Sequence, residues 1–409
     1  MTAEKTRKTT RTPGYPKDRE ALRLVLLDAV ESVREAAEAG ADEMERIGRL
    51  PESVVAALDA SGLFGMKLPA ELGGAEADPV TQIEVIEKMA GIEPSVGWCM
   101  FIGATSIGWP GAFLPDESIP RVFDSGHVPH VAGVGGVRGR GVEVEGGYKI
   151  SGRFQFASGI GHAEWLVGGA AIQDEAGETV EQRFFLIPVS EAVNHDNWQV
   201  AGLKGTSSGD FSTDGLFVPR EMTWDWQDLA QGNPQRGGPL FHLGMPAFTS
   251  NEHAAFSLGV GRKCLDLVIE MAQSKRRGHG AAATLVRDRP VFQRFVGEAD
   301  LRLRAARALV VELQERAWQE VCAGRHIEPS LATELRSAGV LATEVAVDVA
   351  TQSMRYAGGG ALFLTNKLQR CFRDVVASGQ HLAVSDTAYE AHAQFLLGLG
   401  ENVPMTGTR

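Results

Sequence analysis

Apolar residues recur at steps of three and four through the last third of the chain. Leu258, Gly261, Leu265, Val268 and Ala272 form one stripe. Phe292, Val296, Ala299, Leu303, Ala306, Val310, Leu313 and Ala317 form a second, and Leu331, Leu335, Ala338, Ala342, Val345 and Val349 a third. Repeats sustained this long predict helices that each bury one face and pack side by side at small crossing angles. A fourth helix, from about Ser385 to Leu397, completes a four-helix bundle. The start of the chain carries the same period. Residues 21 to 41 alternate apolar and charged positions as an amphipathic helix, and a second begins at Leu50 with Pro51 in its first turn and stops near Ser61-Gly62. Another passes through Val85 and Met89.

Between His127 and about Gln231 the period drops to two. Short apolar runs at 166–172, 184–189, 198–203 and 211–218 are separated by turn residues, and glycine is dense. Val142 and Val144 alternate with Glu143 and Glu145, Gly146-Gly147 turns the chain, and Tyr148 and Ile150 resume the alternation: a hairpin. The predicted organisation is therefore a tail (1–17), an N-terminal helical domain (18–126), a middle β-domain (127–235) and a C-terminal bundle (236–409). The run Gly133-Val-Gly-Gly-Val-Arg-Gly139 does not satisfy GxGxxG and leads into a hairpin rather than a helix, which excludes a dinucleotide-binding fold.

Composition narrows the function classes. A formal net charge of -12 over 409 residues argues against nucleic acid or an anionic membrane as partner. Cys99, Cys264, Cys322 and Cys371 lie far apart with no metal-ligand spacing, so they read as reduced thiols of a cytoplasmic protein, and no metal is expected. No run is apolar enough to span a bilayer. Past the hairpin, Phe154, Phe156, Ala157, Ser158 and Gly159 abandon the strand period. Rings for apolar contact, a glycine for close approach and one movable hydroxyl suit a flat, polar-edged ligand; a strand end with a turn accounts for them equally.

The run Gly146-Gly-Tyr-Lys-Ile-Ser-Gly-Arg-Phe-Gln-Phe-Ala-Ser-Gly-Ile-Gly-His-Ala-Glu-Trp165 resembles the central motif of the two-component flavin-dependent monooxygenases built on the acyl-CoA dehydrogenase fold. Leu63-Phe-Gly-Met-Lys-Leu-Pro-Ala-Glu-Leu-Gly-Gly74, the pair Gly97-Trp98 and Gly202-Leu-Lys-Gly-Thr-Ser-Ser-Gly-Asp210 are similar to further family segments. So are Tyr356-Ala-Gly-Gly-Gly-Ala361 and Leu368-Gln-Arg-Cys-Phe-Arg-Asp374, and the resemblance runs from about residue 45 to 398. It implies a mainly α fold with a central β-domain, assembled as a homotetramer. It implies reduced FMN, or FADH2, delivered by a separate NAD(P)H:flavin reductase, with O2 as co-substrate.

The implied reaction forms a flavin C4a-hydroperoxide and hydroxylates a small aromatic substrate. The resemblance places Ser158 at the peroxide and gives His381, where hydroxylating members carry a histidine, the role of base; the next position, where dehydrogenases of the fold often carry their glutamate, holds Leu382. Implied cofactor contacts are Trp98, Gly133, Phe156, Ala157, Ser158, Arg276, Gly359, Gly360 and His381; implied substrate contacts are Ser106 and Phe154. Ser106 stands where phenol-hydroxylating members carry a histidine, which leaves C-, N- and S-oxygenation open. Two other readings remain at this point: a dehydrogenase with tightly bound FAD and Glu252 as base, and a flavin-binding protein that kept the fold without activity.

Overall fold

A computed structural model describes residues 14–123, 126–279 and 283–400. The helical N-terminal region holds α1 (Arg19–Ile47), α2 (Glu52–Ser61), α3 (Pro79–Ile92), α4 (Pro94–Phe113) and the short α5 (Ile119–Phe123). Helix α1 starts where the Asp18 carboxylate accepts the Ala21 N–H at 2.9 Å, and it ends at Gly48, whose φ of 70° is the left-handed stop that glycine adopts without strain. Asp78 caps α3 in the same way, ahead of Pro79 in its first turn. Every residue of α4 except Ile102 is buried, so this helix is the spine of the region. Its small residues let neighbours come close: a Cβ on Gly103 would lie 2.9 Å from the Phe64 ring.

The middle of the chain forms one seven-stranded sheet in the order β5-β6-β2-β1-β3-β4-β7. The strands are β1 (Val131–Val144), β2 (Gly147–Phe154), β3 (Trp165–Gln173), β4 (Thr179–Pro188), β5 (Val193–Asn194), β6 (Phe211–Pro219) and β7 (Thr223–Asp225). All neighbours are antiparallel except β1 and β3. The β1–β2 hairpin pairs Val144 with Gly147, and Gly146 takes the left-handed turn position (φ 78°).

After a short α6 (Trp226–Gln231) the chain returns to helix: α7 (Ser250–Ser274), α8 (Pro290–Cys322), α9 (Pro329–Ala357), α10 (Lys367–Ser378) and α11 (Thr387–Leu396). Two short strands, β8 (Arg276–Arg277) and β9 (Thr284–Leu285), pair between α7 and α8. The three long stripes lie inward as their period predicts. The fourth bundle helix is α10, which packs on α7 and α9; α11, at the position expected for it, lies on α9 with only Ala388 buried. The reason is chemical. The inward face of α10 carries Gln369, Arg370 and Asp374; Arg370 donates to Asp42 and Asp374 Oδ1 accepts from Leu203, so apolar periodicity alone does not mark it. Among the described residues no helix is long and apolar enough to cross a membrane.

Candidate active site

Three segments far apart in sequence meet beside α4. Trp98, buried near the start of α4, donates its indole N–H to Ser158 Oγ at 3.0 Å. Ser158 sits on the turn that leaves β2, and that turn is pinned to the 206–209 segment: Ala157 N–H donates to Gly209 O (2.9 Å) and Gly159 N–H to Thr206 O (2.8 Å). Three non-glycine residues on these two segments, Phe156, Leu203 and Ser207, hold left-handed backbone (φ 68°, 55° and 46°). Such geometry costs on the order of 1 kcal/mol or more each and persists where surrounding contacts enforce it.

The hydroxyls of this turn form a directed chain. Thr206 Oγ1 donates to Leu203 O at 2.8 Å, Ser208 Oγ lies 2.6 Å from Thr206 Oγ1, and Ser158 Oγ lies 2.7 Å from Ser208 Oγ. With the Thr206 proton on a carbonyl, Ser208 donates to Thr206 and Ser158 donates to Ser208. Ser158 Oγ is left with one free lone pair. Leu203 is fixed in turn by α10, since its N–H donates to Asp374 Oδ1 at 2.6 Å.

His381 follows α10 and stands 5.8 Å from Trp98 between ring centroids, edge to face. Its Nδ1 accepts the Ala383 backbone N–H at 3.1 Å, so in the neutral ring the proton sits on Nε2. Although part of its surface reaches solvent, packing against Trp98 and a second histidine strips the ring of water and lowers its pKa to about 4. His381 is therefore a neutral hydrogen-bond donor at Nε2.

The second histidine is His253, in the first turn of α7, with its ring 4.0 Å from that of His381 and 5.3 Å from Trp98. It is buried, neither ring nitrogen has a hydrogen-bond partner among the described residues, and desolvation holds its pKa well below the ordinary histidine range. An unpartnered buried polar atom costs about 1–3 kcal/mol, so a ring with two of them marks a place kept for something other than stability. Phe101 and Phe256 complete an aromatic wall around Trp98, with centroids 5.2 and 5.0 Å away.

Residues 20–113 match the family described as acyl-CoA dehydrogenase, N-terminal domain, and residues 252–386 match its C-terminal domain. A pigment production hydroxylase of Rhodococcus erythropolis is 30% identical over 374 residues, 88% of this chain and 92% of that one. The chain belongs to the flavin-dependent monooxygenases of the acyl-CoA dehydrogenase fold. The oxygenase subunit of the flavin-dependent monooxygenase HsaA from Mycobacterium tuberculosis is 28% identical over 350 residues, 84% of this chain and 87% of that one. The structure of XiaF from a Streptomyces species superposes with a TM-score of 0.87 at 24% identity, covering 94% of this chain and 98% of that one.

In this monooxygenase the remaining expected residues separate. Gly133 lies on β1 against α4, and a Cβ there would fall 2.5 Å from Ser106 Oγ, so its glycine makes room for the buried Ser106. Ser106 is eight residues beyond Trp98, about 12 Å along α4. Ala157 is fully buried under the turn, whereas Phe156 points outward, 64% exposed, edge-on to Trp198. Phe154 corrects its expectation as a substrate contact. It is wholly buried in the β-domain, stacked 4.7 Å from Phe211 and edge-on to Phe185, because β2 still runs at that point and turns this side chain into the interior.

Arg276, Gly359 and Gly360 gather at the other end of α7. Lys275 donates to Ala357 O and Arg277 to Tyr356 O (2.9 Å), so these two neighbours neutralise the C-terminal carbonyls of α9. Arg276 faces the other way and is exposed, donating to Ala283 O at 3.0 Å. From His253 to the end of α7 is about 30 Å at 1.5 Å per residue, so within one chain Arg276 and Ser158 serve different places.

Glu252 precedes His253 by one residue and therefore points to another side of α7. Its carboxylate pairs with Lys67 Nζ at 2.5 Å and accepts from Thr105, and Lys67 also donates to Phe248 O at 2.7 Å. Both charged side chains are essentially without exposure, and a carboxylate so occupied has no role as a proton-abstracting base. A groove of about 580 Å³ between α1, α3, α7 and α8 is distinct from this site; its charges include the paired Glu87 and Arg307.

The two site histidines give a pH prediction. Above pH 6.5 they are neutral in folded and unfolded chains alike, so they leave stability unchanged there. Below 6.5 the unfolded chain takes up protons that the folded site refuses, His381 until about pH 4 and His253 through burial and the neighbouring ring, so stability falls as pH falls. Each histidine contributes up to about 1.4 kcal/mol per pH unit. Urea midpoints should drop between pH 6.5 and 5 and drop less in His253→Phe; a flat midpoint across that interval contradicts the assignment of neutral rings.

Proposed function

We propose that this monooxygenase inserts one atom of O2 into a small aromatic substrate held between Trp98, His253 and His381. The observation that carries this reading is the set of unspent polar groups facing one aromatic wall: a lone pair on Ser158, the Nε2–H of His381, and two unpartnered nitrogens on His253. A reduced flavin fits this donor and acceptor set, since its ring is flat and its edge offers both N–H and carbonyl groups. When bound, reduced flavin supplies the electrons that activate dioxygen.

The chain's own residues supply position and dryness. Ser158 would accept an N–H of the flavin edge, its own proton directed to Ser208. His381 would donate from Nε2 to a substrate oxygen, and because the ring is neutral that bond persists across the neutral pH range. Trp98, Phe101 and Phe256 exclude water, which strengthens each of these hydrogen bonds. We further place Arg276, Gly359 and Gly360 on the flavin of a neighbouring subunit in a homotetramer. The about 30 Å along α7 supports this, as does the apolar run Leu362-Phe363-Leu364 beside those glycines, exposed at 77%, 69% and 75%. Reduced flavin would come from a separate reductase.

The test is to supply chemically reduced FMN and 18O2, with catalase present, against a panel of phenols and indoles. One labelled oxygen per product is expected. Substrate oxidation without label, or flavin reduction by an acyl-CoA, would sink the reading. Within it, His253→Phe should keep or raise the urea midpoint, because two unpartnered nitrogens leave the core, while lowering product formation at least tenfold. Full activity in that variant would assign His253 to packing alone.

A further inference from the structure

Three side chains from distant parts of the chain converge where the helical region meets the sheet. Asp59 lies near the end of α2, and His127 and His130 lie in the segment entering β1. Asp59 Oδ1 is 3.3 Å from His127 Nδ1 and 3.4 Å from His130 Nε2, and the three ligand atoms all lie within 4.8 Å of one another. His130 is 7% exposed, and its Nε2, aimed at that carboxylate, has no hydrogen-bond partner among the described residues. Both contacts are ion-pair distances, longer than the 2.8 Å at which the other nitrogen of His127 meets Glu164 Oε1. Both also match the ligand–ligand edge of a tetrahedral site. Metal–ligand bonds of about 2.0–2.1 Å set neighbouring ligand atoms about 3.3–3.4 Å apart.

We propose that Asp59, His127 and His130 bind a zinc ion, with water completing the tetrahedron. Two imidazole nitrogens and one carboxylate suit zinc and exclude calcium or magnesium, which take oxygen ligands. Glu164 stands where zinc-bound histidines are commonly held, accepting the remote N–H of the ligand ring. The side chains of Asp59 and His127 are 40% and 22% exposed, which leaves the ion a path from solvent. The site lies behind the catalytic turn. His130 O accepts the N–H groups of Glu164 (2.8 Å) and Trp165 (3.2 Å), and the His130 ring lies 5.9 Å from that of His162, which closes the turn begun at Ser158. A zinc ion here ties α2 to the first strand and braces that turn from outside.

The test uses full-length protein stripped with a chelator and titrated with zinc chloride by calorimetry, then loaded with cobalt for visible absorption. One ion per chain, an intense tetrahedral cobalt spectrum and a raised melting temperature are expected. Asp59→Ala and His127→Ala should each weaken binding at least a hundredfold, and Glu164→Gln about tenfold. Circular dichroism checks folding, and the exposed Asp59 gives a variant that leaves the core untouched. No saturable binding at micromolar zinc, or unchanged affinity in Asp59→Ala and Glu164→Gln, overturns the proposal and leaves a plain ion pair.

Discussion

Lys67→Met is expected to cost the fold about 3–5 kcal/mol, measured by urea denaturation. Lys67 has no exposed surface, and burial lowers its pKa while raising that of Glu252. Neither charge survives there without the other. Methionine fills the lysine's volume and can rest on the Phe248 ring, which the ammonium now approaches to 3.8 Å, so little packing is lost. What remains is Glu252, buried, with Thr105 as its partner and no cation. It must either protonate or stay charged without solvation, and both are costly. The double variant Lys67→Met/Glu252→Gln removes the stranded charge and should recover most of the loss, giving a coupling energy of a few kcal/mol. A single-variant cost below about 1 kcal/mol would show that the pair is solvated. The pair also bears on chemistry. It joins the segment before α3 to α4 and α7, the helices that carry Trp98 and His253, so Lys67→Met should lower activity by displacing that wall rather than by removing a base.

What could be read from the sequence follows from how local each signal is. The bundle stripes and the strand alternation are carried by neighbouring residues, so helix, sheet and bundle were legible before any contact was known. The fourth bundle helix was not, because Arg370 and Asp374 on its inner face are matched by Asp42 and Leu203, which no local pattern displays. The site divides in the same way. Resemblance supplied Trp98, Ser158 and His381, and the chain brings them together beside α4. His253 precedes the first stripe and lies one residue from Glu252; only the turn of α7 shows that these neighbours face different partners. Ser208 looked like part of a loop motif, and its place in a hydroxyl chain depends on a turn fifty residues earlier in the sequence. Asp59 and His130 are joined by folding alone. Phe154 failed for the opposite reason: the motif continued past it as one run, while the strand had not yet ended.

Ser158→Ala is expected to uncouple oxygen use from product formation. The hydroxyl now accepts from Trp98 and donates to Ser208, so its removal strands an indole N–H and leaves a Ser208 lone pair without its donor within a dry pocket. Losing one such buried hydrogen bond is worth about 1–3 kcal/mol, which is about a five- to hundredfold fall in product formed per reduced flavin. The missing oxidising equivalents should appear as hydrogen peroxide, and affinity for reduced FMN should fall as well, because the flavin edge loses the acceptor that Ser158 would offer it. Ser208→Ala separates two accounts of this effect. If the direction of the Ser158 proton matters, Ser208→Ala frees that proton without touching the Ser158 oxygen, and it should raise peroxide release at unchanged flavin affinity. If only the space filled by the Ser158 side chain matters, Ser208→Ala will couple as well as the parent enzyme, and the hydroxyl chain from Ser158 through Ser208 to Thr206 is scaffolding for the turn. Peroxide yield measured beside product yield, in both variants, decides between them.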